Sequence, residues 1–267
     1  MTGKREEQHM KQVLEKEGFE VFPISTSRTK TPDYMARDSK NEYYVEVKGR
    51  QPALETTVLE QSLVRSGLGT ASLTVCRTNL LSKIISEAAR QLEAFKNKPD
   101  SFRIVWLSFL ETDHQVQSER TVRTLYGIRR LQVVLNPYNP STFQWIQSAL
   151  CFYYDFSDFY RYPYVDAAII ATQNGGLLCV NEFSDNAPKF RCSRLFSIFS
   201  TSIIDPLDLK SNNRLLFVDS DIDRRDESRV LEHLRDKHKP YYFSPMVESS
   251  FLGRIEVDFN KQGNEAG

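Results

Sequence analysis

The chain has 267 residues, of which 40% are hydrophobic and 26% are charged, proportions typical of folded globular proteins. This composition excludes global disorder, and the length allows one large domain or two of ordinary size. Lysine and arginine number 35, as do aspartate and glutamate, so the net charge is zero and any polyanion site has to be local. The charged N-terminus and the lack of a long apolar run lead us to expect a cytoplasmic protein without membrane contact.

Hydrophobic periodicity divides the first 110 residues into two helices and four strands. Apolar residues recur every three or four positions in both helical segments, which are followed by the stop signals Gly18 and Pro99. The run at 102–110 is continuously apolar, as expected of a strand that is buried on both faces. The predicted elements are a helix at 5–17, strands at 19–24, 34–36 and 43–48, a helix at 79–98 and a strand at 102–110.

Beyond residue 110 the sequence predicts a further mixed α/β region. Asn174, Gly175 and Gly176 form a hairpin turn signal between two apolar runs. The predicted elements are strands at 126–135, 167–172 and 177–181 and helices at 141–150 and 226–238. We therefore expect an α/β protein with a first unit at 1–110, built as helix, three strands, helix and strand, and a mixed α/β extension at 111–267.

One short segment of the first unit, Tyr43–Lys48, carries chemically suggestive side chains. Its strict alternation places Glu46 and Lys48 on one face of a strand. Asp33 precedes the neighbouring strand, which runs antiparallel through a short turn, so the three side chains can converge. Two carboxylates offer hard oxygen ligands suited to Mg²⁺ or Mn²⁺, and a lysine adds positive charge where a phosphate transition state becomes negative. This set matches metal-assisted hydrolysis of phosphodiesters.

The tripeptide Glu46-Val47-Lys48 alone fits a half-exposed strand with an ordinary ion pair better than it fits a catalytic site. Its combination with Thr31-Pro32-Asp33, within the predicted order of helices and strands, changes that interpretation. In these residues the chain resembles the PD-(D/E)xK nuclease superfamily, the restriction-endonuclease-like fold of type II restriction enzymes, Holliday-junction resolvases and RecB-type nuclease domains. The resemblance covers 5–110 and implies a nuclease core of that fold at 1–110, with substrate or partner recognition left to the extension.

The resemblance implies a role for each of these side chains. Asp33 and Glu46 are expected to bind a divalent metal ion, Mg²⁺ or Mn²⁺, and Lys48 to be the catalytic lysine. Resolvase-like and RecB-like members also carry a glutamate in the first helix, and Glu7 occupies that place as a further catalytic and metal-binding candidate. Glu6 has a similar geometry, and Glu7 is alternatively a surface residue that stabilises the helix N-terminus.

Further candidates lie around this predicted site. RecB-like members carry a glutamine in the second helix, a place that Gln91 takes here, although a glutamine on a solvated helix face is the favoured interpretation. Lys30, Arg50 and Arg65 are candidates for nucleic-acid contacts. We interpret 51–78, which contains Arg65, as a mobile connection that could alternatively close on the substrate.

Two features of the extension also have both structural and functional interpretations. The aromatic-rich segment 151–164 could stack unpaired bases or dock a partner, although a core or domain junction is favoured. Asp219, Asp221 and Asp223 have the spacing that begins a calcium loop. Because Arg224 stands where such a loop needs glycine, we interpret them as an acidic loop before a helix.

The sequence thus predicts a metal-dependent nuclease, an endonuclease or exonuclease, that hydrolyses phosphodiester bonds of nucleic acid. DNA is the preferred substrate in this prediction while RNA stays open, and DNA repair, recombination or anti-phage defence are the expected settings. We also expect a homodimer or a larger repair or defence complex. The alternative is a non-catalytic nucleic-acid-binding or scaffold subunit on the same fold, against which the complete set of Asp33, Glu46 and Lys48 counts.

Overall fold

The computed structural model describes residues 3–24, 31–49, 54–66, 68–94, 101–111, 113–134, 146–212, 215–240 and 242–255. These ranges contain helices and three sheets, of seven, four and two strands. The predicted α/β class is therefore confirmed, whereas the restriction-endonuclease-like identity of the core stays a prediction.

Up to residue 110 the predicted helices and strands are present, and two further elements lie between them. The elements are α1 (Gly3–Lys16), β1 (Glu20–Pro23), β2 (Tyr34–Arg37), β3 (Glu42–Gly49), α2 (Leu54–Ser66), β4 (Leu68–Thr74), α3 (Asn79–Glu93) and β5 (Ser101–Phe109). Helix α3 begins after Thr78, whose hydroxyl accepts a hydrogen bond from the backbone N–H of Leu81. Every residue of β5 is buried, as its continuous apolar sequence predicts.

Beyond residue 110 short helices and strands alternate. The elements are α4 (His114–Tyr126), β6 (Arg129–Val134), β7 (Ile146–Phe152), α5 (Asp158–Arg161), β8 (Ala167–Thr172), β9 (Gly175–Val180), α6 (Ala187–Phe190), α7 (Arg194–Ile198), β10 (Ile203–Ile204), α8 (Pro206–Leu209), β11 (Leu215–Phe217), α9 (Glu227–His238), β12 (Tyr242–Pro245) and β13 (Ser249–Ile255). The predicted hairpin of β8 and β9 and the predicted helix α9 are confirmed. Asp219, Asp221 and Asp223 lie between β11 and α9, outside any helix or strand.

The seven-stranded sheet has the order β1-β2-β3-β5-β8-β9-β10. Strands β1, β2 and β3 are antiparallel neighbours, β3, β5 and β8 run parallel, and β9 is antiparallel to β8. Three of its strands come from beyond residue 110, so the sheet draws on both predicted units. The boundary at residue 110 itself stays a prediction.

The two faces of this sheet carry separate cores. Helix α1 packs on one face, where Met10 and Leu14 contact a cluster that includes Val45. Helix α3 packs on the other face, in a cluster that includes Leu92 and Tyr44. Neighbouring residues of β3 therefore point to opposite faces, and the alternation predicted for this strand is confirmed.

Two predictions of local structure are wrong. The predicted helix at 141–150 is replaced over its described part by strand β7, because β7 is paired on both edges, with β6 and with β11. The connection at 51–78 is not a mobile loop over its described part, since it contains α2 and β4. Strand β4 pairs antiparallel with β13, at the far end of the chain, and this partner gives no local signal in the sequence.

Membrane contact was not expected from the sequence. Within the described ranges no helix combines the length and the apolar composition that crossing a bilayer requires. Cytoplasmic localisation stays a prediction.

Candidate active site

Strand β3 and helix α3 bring a lysine, a glutamate and a glutamine into mutual contact. Lys48 Nζ donates to Glu46 Oε1 at 2.5 Å and to Gln91 Oε1 at 3.3 Å. Gln91 Nε2 in turn donates to the same Glu46 oxygen at 2.5 Å. The Glu46 side chain is fully buried, and the Lys48 side chain is 24% exposed. Gln91 therefore belongs to the site, and its interpretation as a solvated helix residue is wrong.

Local sequence explains why these side chains meet. Glu46 lies in the middle of β3, opposite Val105 of the buried strand β5, on the face that α3 covers. Ala88 and Leu92 of α3 are fully buried against that face. Gln91 is at the margin of this apolar stripe, three residues after Ala88, so its amide reaches the polar side chains of β3.

Asp33 reaches the same strand from the start of β2. Its Oδ2 accepts a hydrogen bond from the backbone N–H of Val47 at 2.8 Å, which fixes the carboxylate beside Glu46. The second oxygen of Glu46, Oε2, is buried and has no hydrogen-bond partner among the described residues. A buried carboxylate oxygen without a partner costs free energy, so a cation that reached this atom would be held by it.

The Glu46 carboxyl is in an environment that opposes its ionisation. Its pKa is raised to about 7, chiefly by burial and in addition by the charge and a side-chain hydrogen bond of Asp33, while the hydrogen bond and charge of Lys48 act in the opposite direction. Near neutral pH the carboxyl is therefore balanced between its two protonation states. A bound cation would favour the ionised form.

The glutamates of α1 lie on the other face of the sheet. Glu7 Oε2 accepts a hydrogen bond from the Tyr34 hydroxyl at 3.0 Å. Glu6 is buried, and its carboxyl packs so closely on Gly49 that a Cβ added there would lie 2.7 Å from the Glu6 Cδ. The proposed metal-binding role of Glu7 stays a prediction, and Tyr34 is the contact that the structure gives it.

Within the described part of the chain, no group of three or more histidine, cysteine, aspartate or glutamate side chains is arranged to hold a metal ion. Asp33 and Glu46 form a pair of carboxylates, so an ion between them would take its remaining ligands from water or substrate. Of the basic candidates, Arg65 is exposed near the end of α2, whereas Lys30 and Arg50 lie outside the described residues.

Sequence reasoning missed two contacts at this site. Tyr34 directly follows Asp33, but a tyrosine in a strand is common and gives no sign that its hydroxyl will bind Glu7. The backbone N–H of Val47 binds Asp33, and sequence patterns carry no information on such a contact. The register of β2 and β3, in which Tyr34 is opposite Val45, places Asp33 beside Val47 and Tyr34 on the face that α1 covers.

Three comparisons with known proteins, against protein-family models, curated proteins and solved structures, find no match for this chain.

Proposed function

We propose that this chain is a metal-dependent nuclease of the PD-(D/E)xK type, with a restriction-endonuclease-like core, that hydrolyses phosphodiester bonds of nucleic acid, DNA in the first place. The supporting observation is the buried Glu46 carboxylate, which has one oxygen on Lys48 and Gln91 and the other unpartnered beside Asp33. If Glu46 and Lys48 were only a structural ion pair, a second carboxylate beside them would be unfavourable, because Asp33 disfavours ionisation of Glu46. Repair, recombination or defence against phage is the setting we propose.

The donor atoms suit Mg²⁺ or Mn²⁺. Asp33 and Glu46 Oε2 are hard oxygen donors, and a cation bound between them would offset the cost of ionising the buried Glu46 carboxyl. When bound, the ion supplies Lewis acidity toward the phosphate and activates a water molecule. Because two carboxylates leave most of the coordination shell open, we expect weak metal binding until a substrate phosphate is present.

The side chains around the carboxylates supply charge and position. The Lys48 ammonium stands beside Glu46, where it can offset negative charge that develops on the phosphate in the transition state. Gln91 holds Glu46 with its amide nitrogen and Lys48 with its amide oxygen, so it fixes the distance between them. The backbone N–H of Val47 fixes the position of Asp33 by a hydrogen bond to its carboxylate.

Cleavage of plasmid DNA, oligonucleotides and RNA by the full chain, with Mg²⁺, Mn²⁺ or EDTA, tests the proposal. We expect cleavage with either ion and none in EDTA. Glu46→Gln should abolish cleavage and weaken metal binding together, because a ligand holds the ion. Lys48→Ala should keep metal and substrate binding within a few-fold and slow cleavage by about 10²–10³-fold, because the lysine acts on developing charge.

Matched controls are available on the same strand and its turn. Glu42→Gln changes a carboxylate on the same face of β3, and Lys40→Ala changes an exposed lysine in the preceding turn. Both variants should cleave at the wild-type rate. Normal cleavage by a folded Lys48→Ala variant would show that Glu46 and Lys48 are a structural pair. Cleavage by the wild type in EDTA would show that the reaction needs no divalent metal ion.

The second candidate function is a non-catalytic nucleic-acid-binding or scaffold subunit on the same fold. Full burial of Glu46 and its engagement by Lys48 favour it, since both limit access to the carboxylate. It predicts nucleic-acid binding in EDTA and no cleavage with any ion. Arg65→Ala should then weaken binding and lower the salt slope by about 1, as for loss of one phosphate contact. A homodimer or larger complex is likewise proposed, and sedimentation would test it.

A further inference from the structure

A large cavity lies at the other end of α3 from the candidate active site. Its volume is about 1090 Å³, and its lining comes from the start of α3, the segment after β7, the end of β9 and the loop between β11 and α9. Asn79 lines it, whereas Gln91 belongs to the active site, and the helical rise separates these two residues by about 18 Å. The cavity is therefore a separate site, of a size that encloses a small organic molecule.

Aromatic rings form much of the cavity wall. The Phe183 ring lies 5.0 Å from that of Tyr153 and 5.1 Å from that of Tyr160, both in edge-to-face arrangements. Tyr160 is 59% exposed and Phe156 is 48% exposed, so aromatic surface is open at the rim. The aromatic residues of the wall are Tyr153, Phe156, Tyr160, Phe183 and Phe217. Such surfaces attract cations as well as flat apolar groups.

The basic side chains of the cavity are already engaged with the protein. Arg77 donates to the Phe156 carbonyl, Arg224 to the Tyr153 carbonyl and three others, and Lys210 to Glu182. Arg161 stacks over the Tyr162 ring at 5.4 Å. The cavity lining contains six carboxylates, and five of them are paired with a cation: Asp158 with Arg77, Glu182 with Lys210, Asp155 with Arg129, Asp219 with Lys237 and Asp223 with Arg225. Among the described residues Asp221 is the carboxylate of the lining without an ion pair.

Asp221 and one oxygen of Asp158 retain capacity for a cation. Asp158 is 1% exposed; its Oδ1 accepts from Ser82 at 2.7 Å and lies 4.0 Å from the Arg77 guanidinium, whereas its Oδ2 has no hydrogen-bond partner among the described residues. Asp221 accepts from the Tyr160 hydroxyl at 3.0 Å, and within the described ranges no cationic side chain forms an ion pair with it. One carboxylate is thus deep in the wall and the other is beside the most exposed ring.

We propose that this cavity binds a small organic cation, an amidinium, guanidinium or ammonium group on an apolar or aromatic body. Asp158 and Asp221 attract the charged group, and the rings of Tyr160 and Phe183 pack against the body. The site is independent of phosphodiester cleavage, because it shares no residue with Asp33, Glu46, Lys48 and Gln91.

Calorimetric titration of the full chain at pH 8 tests this proposal with matched probes. Benzamidine and benzamide have the same ring and nearly the same size, but only benzamidine carries a charge. We expect benzamidine to bind at least tenfold more tightly than benzamide, and agmatine and spermidine to compete with it. Adenosine and AMP should bind more weakly than benzamidine.

Variants of the two carboxylates locate the site. Asp221→Asn should weaken benzamidine binding about two- to fivefold because its carboxylate is exposed, and Asp158→Asn should weaken it by no more than that, because Arg77 already offsets its charge. Asp236→Asn, an exposed aspartate of α9 outside the cavity, should bind as the wild type does. If Asp158→Asn fails to fold, Asp221→Asn and Tyr160→Ala still decide the question.

Several results would overturn the proposal. Equal affinity for benzamidine and benzamide would show that charge is not recognised, and preference for adenosine or AMP would assign the cavity to nucleotides. Binding that survives Asp221→Asn and Tyr160→Ala unchanged would place the cation elsewhere. Absence of binding by all three cations would also reject it, whatever the outcome of the cleavage assays.

Discussion

Glu46 is the residue at which the proposed function and stability conflict. Its carboxylate is buried, and the rise of its pKa to about 7 shows that loss of hydration outweighs the favourable contact with Lys48. Glutamine has nearly the same shape and keeps an acceptor for Lys48, but it carries no charge. The same substitution should therefore have opposite effects on stability and on cleavage.

Glu46→Gln is expected to stabilise the metal-free protein at pH 8 by about 1–3 kcal/mol, since a neutral amide avoids the cost of a buried charge. Denaturant unfolding in EDTA measures this difference. Millimolar Mg²⁺ should raise the unfolding temperature of the wild type and leave that of the variant unchanged. Glu42→Gln is the control for changing a carboxylate on β3. A less stable Glu46→Gln variant would show that the pair with Lys48 outweighs the burial cost.

Asp158 is a second buried carboxylate, and it makes stability depend on pH. Burial raises its pKa to about 6, although hydrogen bonding from Ser82 and the charges of Arg77 and Arg161 lower it. The folded protein therefore holds this proton to higher pH than the unfolded chain does. Its contribution to stability is complete below about pH 4 and is lost as the pH rises through 6.

Asp158→Asn removes this dependence. Relative to the wild type, the variant should gain about 2–3 kcal/mol of unfolding free energy between pH 4 and pH 8. Unfolding curves of both proteins at several pH values give the difference, in which other titrating groups cancel. Asp236→Asn should show a constant difference from the wild type. A constant difference for Asp158→Asn as well would mean that Arg77 and Ser82 keep Asp158 ionised.

At the scale of elements, sequence periodicity predicts the helices and strands whose formation depends mainly on neighbouring residues. The alternation in β3 and the helical spacing in α3 placed Glu46, Lys48 and Gln91 on elements that the structure contains. The local pattern at 141–150 predicts a helix, whereas over its described part the structure has strand β7. The difference arises because β7 is stabilised by pairing with β6 and β11, which are not its sequence neighbours on both sides. Whether Gln91 points to solvent or to Lys48 depends on how α3 packs on the sheet, and its own sequence leaves that open.

Helix α2 and strand β4 likewise depend on distant partners that local sequence does not reveal. Strand β4 contains glycine, serine and threonine, and its stability depends on β13 and on close packing with α2. At Gly69 a Cβ would lie 2.4 Å from the backbone oxygen of Leu59 in α2, a distance that forces the backbone to move. Helix α2, which carries Arg65, can therefore pack this closely on β4 only because residue 69 has no side chain.

Gly69→Ala should destabilise the protein by about 1–3 kcal/mol, as overpacking does elsewhere. Thermal or denaturant unfolding measures the loss, and Ser72→Ala, at an exposed position of the same strand, is the matched control. Ser72→Ala should change stability by less than about 0.5 kcal/mol. Equal stabilities of the two variants would show that α2 can move away from β4 at little cost.

At the scale of the whole molecule, the proposed active site depends on a sheet that continues well past residue 110. Strand β5 supports β3 on one edge and pairs with β8 on the other, with Val105 opposite Ala168 and Trp106 opposite Ile169. The cores on both faces of the sheet include residues from β8 and β9. A unit ending at residue 110 would leave one edge of its most buried strand unpaired.

A fragment of residues 1–110 is therefore expected not to fold cooperatively, and not to bind metal or cleave nucleic acid. Circular dichroism, denaturant unfolding and the cleavage assay measure these properties. A fragment of residues 1–255, which keeps every described strand of the sheets, should unfold like the full chain. The physical reason for the difference is that loss of β8 exposes the unpaired N–H and C=O groups of β5 and the apolar residues that β8 covers. Cooperative folding of 1–110 with metal-dependent cleavage would instead establish residue 110 as a domain boundary.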